Sequence, residues 1–158
     1  MNRKGNKKSA DLFAQLTLES FRLNAALLNE GDRLATPYGL TSARWQVLGT
    51  LILAAQPLTV AETARRMGLA RQSVQRVADW LADQKLIKYT ANPAHPRWQR
   101  AQPTARGRRI YADLEADRLD WAQKVTADLN QTDLYTALET LSQITRLLDE
   151  RSRLHGES

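Results

Sequence analysis

The chain contains no cysteine, which excludes disulfides, thiolate metal sites, thiol redox sensing and cysteine nucleophiles. Histidine is nearly as scarce, with only His95 and His155, and no glycine-rich phosphate loop occurs. Neither a metal cluster nor a nucleophile–base pair stands out. The carboxylates after Asp113 fall on outward helix faces, where pairs such as Asp120 with Lys124 at i,i+4 have an ordinary structural explanation. No catalytic activity, metal or cofactor is therefore expected. No stretch approaches the ~20 apolar residues of a membrane span. The polar, basic start, from Met1 to Lys8, is not followed by the apolar segment of a secretory signal. The expectation is a cytoplasmic protein without a membrane partner.

What is present is enough for one good core. At 158 residues and 42% hydrophobic content the chain belongs with globular domains but is short for two independent cores. Its charge is unevenly placed. Residues 60–110 hold eleven Arg and Lys (Arg65, Arg66, Arg71, Arg76, Lys85, Lys88, Arg97, Arg100, Arg106, Arg108, Arg109) against Glu62, Asp79 and Asp83, a net of +8 that leaves −2 for the rest of a chain totalling +6. A basic middle between near-neutral flanks concentrates positive potential on one surface, as a polyanion partner requires.

Periodicity orders the chain. Leu12, Phe13, Leu16, Phe21, Leu27 and Leu28 predict a first helix from Asp11 to about Arg33, broken by Pro37, Tyr38 and Gly39. Thr41 stands as N-cap before a helix carrying Trp45, Val47, Leu48, Leu51 and Ile52, with Gln56-Pro57 expected to end it. Thr59-Val60-Ala61-Glu62 fits a capping box, opening a short helix to Met67. Gly68 permits a sharp stop, and another helix follows from Arg71 to about Gln84. Leu86 to Thr90 reads as a strand, and residues near Trp98 to Gln102 as its returning partner, cut short by Pro103. Thr104 caps a helix with Ile110, Leu114, Trp121, Val125 and Leu129 on one face, and Gln131-Thr132-Asp133 is the expected next break. The last helix places Leu134, Leu138, Leu141, Ile144 and Leu148 along a narrow stripe that calls for a partner, and dimerisation through the terminal helices is expected.

The central motif is a helix-turn-helix. Ala64 is small where one helix crosses another, Gly68 suits the turn, and Val74, Val77 and Leu81 face the second helix inward. At 100° per residue Arg71, Gln72, Gln75, Arg76 and Asp79 then turn outward together, the side a recognition helix presents to a major groove. Arg bonds guanine O6 and N7 in a bidentate manner, Gln does the same to adenine N6 and N7, and Ser73 suits phosphate. A basic hairpin with Arg97 near its tip would reach the flanking minor groove, and Arg100 suits phosphate contact. The candidate DNA-binding residues are thus Arg71, Gln72, Ser73, Gln75, Arg76, Arg97 and Arg100.

In their order and spacing these elements resemble the multiple-antibiotic-resistance regulator (MarR) family. The resemblance runs through Leu40-Thr41, Trp45-Gln46-Val47-Leu48, Leu58-Thr59-Val60-Ala61-Glu62, Ala64, Val74, Arg76, Val77, Asp79, Leu81 and Leu86-Ile87. It ends on Thr104-Ala105-Arg106-Gly107, which is similar to the family's Leu-Thr-x-x-Gly. The resemblance implies a mainly α fold with a small β-hairpin wing: a winged helix-turn-helix between long N- and C-terminal dimerisation helices. It also implies a transcriptional regulator, most often a repressor, that binds double-stranded palindromic DNA as a homodimer and is released by a small-molecule effector. Tyr38, Arg44 and Trp45 are the candidates to line the effector cleft. Arg97 inherits the wing arginine, with His95 in place of the family's Asp. Ala70, Lys85 and Pro103 depart from the family pattern where a capping Ser or Asp, a Gly and a Leu are usual. The expected organisation is a flexible basic arm over 1–10, a dimerisation helix over 11–36, the DNA-binding domain over 37–103 and C-terminal dimerisation helices over 104–154. The competing expectation is a winged-helix module that binds protein without operator specificity.

Overall fold

The structure is a computed structural model that describes residues 3–92 and 97–156; His95, which bears on the wing, lies outside them. Ten elements follow in chain order. Helix α1 spans Arg3–Ala35, so the segment 1–10 expected as a flexible arm is helical from Arg3. Nothing in Lys7-Lys8-Ser9-Ala10 breaks a helix already nucleated downstream, and propagation costs far less than nucleation. A 3-10 turn, Thr36–Tyr38, leads to α2, Ser42–Ile52. Helix α2 stops before the expected Gln56-Pro57.

The N-terminus of α2 is capped twice. Thr41 Oγ1 accepts from the Arg44 N–H, and Asp32 Oδ1 of α1 accepts from the Ser42 N–H at 2.6 Å. The second bond also fixes α1 against α2, satisfying orphan donors and setting a packing contact at once.

A two-residue strand β1, Leu58–Thr59, precedes α3, Val60–Met67, and α4, Arg71–Asp83. Strands β2, Ile87–Thr90, and β3, Arg100–Pro103, complete an antiparallel sheet ordered β1-β3-β2. The third strand, β1, was not foreseen, because two residues carry no periodicity. Its register places Leu58 opposite Ala101 and Thr59 opposite Arg100. In the hairpin Ile87 opposes Pro103 and Thr90 opposes Arg100, so Pro103 ends β3 from within it.

Helix α5, Ala105–Thr126, opens on Thr104, whose Oγ1 accepts from the Gly107 N–H and donates to the Lys85 carbonyl at 2.8 Å. A Cβ on Gly107 would stand 2.1 Å from the Leu86 carbonyl oxygen, so only glycine lets α5 approach the end of α4 this closely. Leu129, expected on this helix, lies in the turn beyond it. The break falls at 127–130, not at Gln131-Thr132-Asp133, because Asn130 Oδ1 accepts from the Thr132 N–H and starts α6, Gln131–Gly156.

The chain divides into two compact units after Arg118, within α5, whereas the expected boundary preceded that helix. In the first unit Val47, Leu48, Leu51, Val74, Ala78, Leu81, Leu86, Ile87, Ala101 and Leu114 form one buried cluster. Burial of Leu114 explains why the first half of α5 belongs here. In the second unit Leu134, Leu138, Leu141 and Leu148 of α6 are all exposed. No described helix is long and apolar enough to cross a membrane.

Candidate nucleic-acid interface

The surface that α4 presents is fixed by its neighbours. Helix α3 is held at its start by a complete capping box, with the Thr59 N–H donating to Glu62 Oε2 at 2.7 Å and the Glu62 N–H donating to Thr59 Oγ1 at 3.2 Å. These bonds to Thr59 hold the Glu62 carboxyl below its ordinary range, with the nearby Arg100 charge a lesser cause. At its end Gly68 has φ 63°. The Gly68 N–H reaches the Arg65 carbonyl and the Leu69 N–H the Ala64 carbonyl, the two bonds of a Schellman motif. The chain thereby turns into α4 over three residues.

Helix α4 buries Val74, Ala78 and Leu81. Val77, expected inward, is only partly buried, because the inward face is centred between Val74 and Ala78. On the other side Arg71, Gln72, Arg76 and Asp79 are exposed, with Ser73 and Gln75 partly buried. The N-cap residue Ala70 gives no side-chain hydrogen bond, which leaves the first backbone donors of the helix for another acceptor.

Gln75 is not a simple outward side chain. Its Nε2 donates to Asp79 Oδ1 at 2.8 Å and to the Tyr89 hydroxyl oxygen at 3.2 Å, while the Tyr89 hydroxyl donates to the same Asp79 oxygen at 2.7 Å. Partial burial and the Asp79 carboxylate raise the Tyr89 phenol well above its ordinary range, so it keeps its proton. Arg65, Arg71, Gln75, Asp79, Tyr89 and Arg97 share the wall of an open cavity of about 550 Å³ between the helices and the hairpin. Arg65 and Tyr89 belong to this surface and were missing from the sequence-derived set. Arg65 was legible in the local charge excess, but the place of Tyr89 depends on the sheet register.

Arg97 is exposed, as expected of a wing residue. Arg100 differs: it lies in β3 opposite Thr59 and Thr90, partly buried, with its Nε shielded from solvent and without a hydrogen-bond partner among the described residues. Its charge lies near enough to Glu62 to help lower that carboxyl.

The three effector candidates each have a different neighbour. The Tyr38 hydroxyl donates to Asp117 Oδ2 at 2.6 Å, chiefly by which its pKa is pushed up to about 12. Arg44 stacks on Trp80, 3.6 Å from the ring centroid. Trp45 borders an open cleft, about 380 Å³, with Gly49, Leu53, Met67 and Tyr111. Among the described residues no group of three or more His, Asp or Glu could hold a metal.

Comparison with known proteins places this geometry in context. The sequence model of the MarR family matches residues 38–97. An uncharacterized protein of Mycobacterium tuberculosis is 38% identical over 101 residues, 64% of this chain and 69% of that protein. The HTH-type transcriptional regulator TcaR of Staphylococcus aureus is 28% identical over 143 residues, 88% of this chain and 91% of its own. Among solved structures, CouR from Rhodococcus jostii RHA1 bound to p-coumaroyl-CoA superposes with a TM-score of 0.72 at 24% identity, covering 82% of this chain and 90% of that one.

Proposed function

Because this chain belongs to the MarR family of winged helix-turn-helix regulators, we propose that it is a sequence-specific repressor that binds a palindromic operator in double-stranded DNA as a homodimer and leaves it on binding a small effector. The observation that carries this reading is the exposed row Arg71, Gln72 and Arg76 on α4, next to the Arg-lined cavity that also receives Arg65 and Arg97. Arg76 and Gln72 reach base edges, whereas Arg71, Ser73, Arg65 and the open N-terminus of α4 take phosphates. Arg97 enters the flanking minor groove.

Homodimerisation is supported by apolar faces left open on helices of both units. Leu12, Phe13, Leu16 and Phe21 of α1 and Leu134, Leu138 and Leu141 of α6 are all exposed, more apolar surface than a lone monomer leaves in water without purpose. The effector would enter the cleft beside Trp45, where Leu53, Met67 and Tyr111 supply apolar and aromatic contact and Gln46, Thr50 and Glu115 supply polar groups for a small aromatic molecule. That CouR was solved with p-coumaroyl-CoA supports an effector for this chain as well.

Selection of binding sites from random duplexes with purified protein tests the reading. Two inverted half-sites about 10 base pairs apart are expected, with affinity falling steeply as salt rises. Arg76→Ala should relax base preference at one position per half-site. Arg97→Ala should weaken all sequences alike and lower the salt slope by about 1. A folded, dimeric preparation that ignores every duplex at low salt would overturn the proposal.

A further inference from the structure

The cleft beside Trp45 has Tyr111 and Glu115 of α5 on its wall, four residues apart and so on the same side of that helix. Gly49 of α2 makes room for the first of them. A Cβ there would stand 2.8 Å from Tyr111 Cε2, so the phenol ring packs closely against α2, one helical turn beyond Trp45. Two aromatic rings and the Met67 thioether therefore share the cleft with one carboxylate. Among the described residues no Lys, Arg or His lines it. Arg118 does pair with Glu115, its Nε donating to Oε2 at 2.8 Å, but it stands outside the lining. Tyr111 reports the balance of the two charges. Burial raises its phenol pKa most, and Glu115 then raises it by more than Arg118 lowers it, so a negative potential prevails at that wall.

We infer that this cleft takes an organic cation with an aromatic body, held by the rings of Trp45 and Tyr111 and by the carboxylate of Glu115. The inference rests on the proposal that the cleft receives the effector, and it narrows that effector to one sign of charge. An ammonium group is attracted to the faces of aromatic rings and to the carboxylate. The Glu115 side chain is only 25% exposed, and a charge partly withdrawn from water acts on a ligand more strongly than one on the open surface. A carboxylate or phosphate ligand would meet Glu115 with no cation on the wall to offset it. The net charge of the whole chain, +6, works the other way and favours anions in general. A preference for cations therefore has to come from the groups in the cleft.

The test titrates the full-length protein, by calorimetry, with two probes that share a ring system and differ in charge: (1-naphthylmethyl)trimethylammonium and 1-naphthylacetate. The cation should bind about tenfold or more tightly than the anion. Glu115→Gln keeps the shape of the side chain and removes its charge, so it should weaken the cation about tenfold and leave the anion no weaker. Asp128→Asn makes the same change of charge on an exposed residue outside the cleft and should alter neither. Trp45→Leu removes one ring and should weaken the cation about fivefold, which carries the test should Glu115→Gln not fold. A merely structural role for Glu115 would weaken both probes alike, and that result overturns the inference. So does a cation whose affinity ignores both Glu115→Gln and Trp45→Leu, since it then binds elsewhere. If naphthylacetate binds as well as the cation or better and Trp45→Leu weakens it, the inference falls and the effector cleft stands. If neither probe binds, both fall.

Discussion

The guanidinium of Arg44 lies over the indole of Trp80, 3.6 Å from the ring centroid, and joins α2 to the flank of α4 beside the exposed row. Trp80 is four residues beyond Arg76 and so lies on the same side of that helix. The stack adds a contact on the flank of α4 to the buried face of Val74, Ala78 and Leu81, which orients the helix.

Arg44→Ala should therefore cost more than a surface arginine. A partly buried cation–π contact contributes about 0.5–2 kcal/mol, and a loss in the lower half of that range is expected as a lower urea midpoint. Arg44→Lys should recover only part of it, since an ammonium lacks the flat face that stacks on the ring. A double-mutant cycle with Trp80→Leu isolates the pair. A coupling near zero would show that Arg44 is held by something other than the indole.

Much of this frame was legible in the sequence because it is local chemistry. Thr41 and Thr59 cap as their positions indicate, Glu62 closes the capping box, and Gly68 turns the chain, since each depends on residues within one helical turn. What escaped depends on partners far away in sequence. Strand β1 exists because β3 returns beside it, and Tyr89 meets Gln75 only through the strand that carries it. Arg100 comes near Glu62 because β3 pairs it with Thr59, the residue that Glu62 caps.

Glu62 links the frame to pH. Its carboxyl is lower in the folded chain than the ordinary ~4.3 of an unfolded glutamate. Such a group adds its full stability above that ordinary value and loses it as pH falls through the lower folded value. Glu62→Gln keeps an oxygen for the Thr59 N–H but gives up the charge. At pH 7 it should be less stable by about 0.5–1 kcal/mol, the scale of a helix cap. The gap between the two proteins should close as the pH is taken from 5 to below about 4, read as urea midpoints across that range. A gap that stays constant there would mean that ionisation of Glu62 contributes nothing to the cap.

Two helices in succession end in the same motif with different residues at its left-handed position. At the end of α3 that residue is Gly68, with φ 63°. At the end of α4 it is Lys85, with φ 59°, the sole non-glycine residue of positive φ among those described. There the Lys85 N–H reaches the Ala82 carbonyl and the Leu86 N–H the Leu81 carbonyl, both at 2.9 Å. A side chain in this conformation costs roughly 1–2 kcal/mol, and glycine would remove that cost while losing about 0.5–1 kcal/mol of backbone entropy on folding. Lys85→Gly should therefore raise stability by about 0.5–1 kcal/mol, seen as a higher urea midpoint. Lys85→Ala should not, because alanine keeps the Cβ that causes the strain. The lysine is exposed, so no buried contact is lost in either variant. If glycine and alanine shift the midpoint equally, the cause lies in the lysine's charge rather than in its backbone.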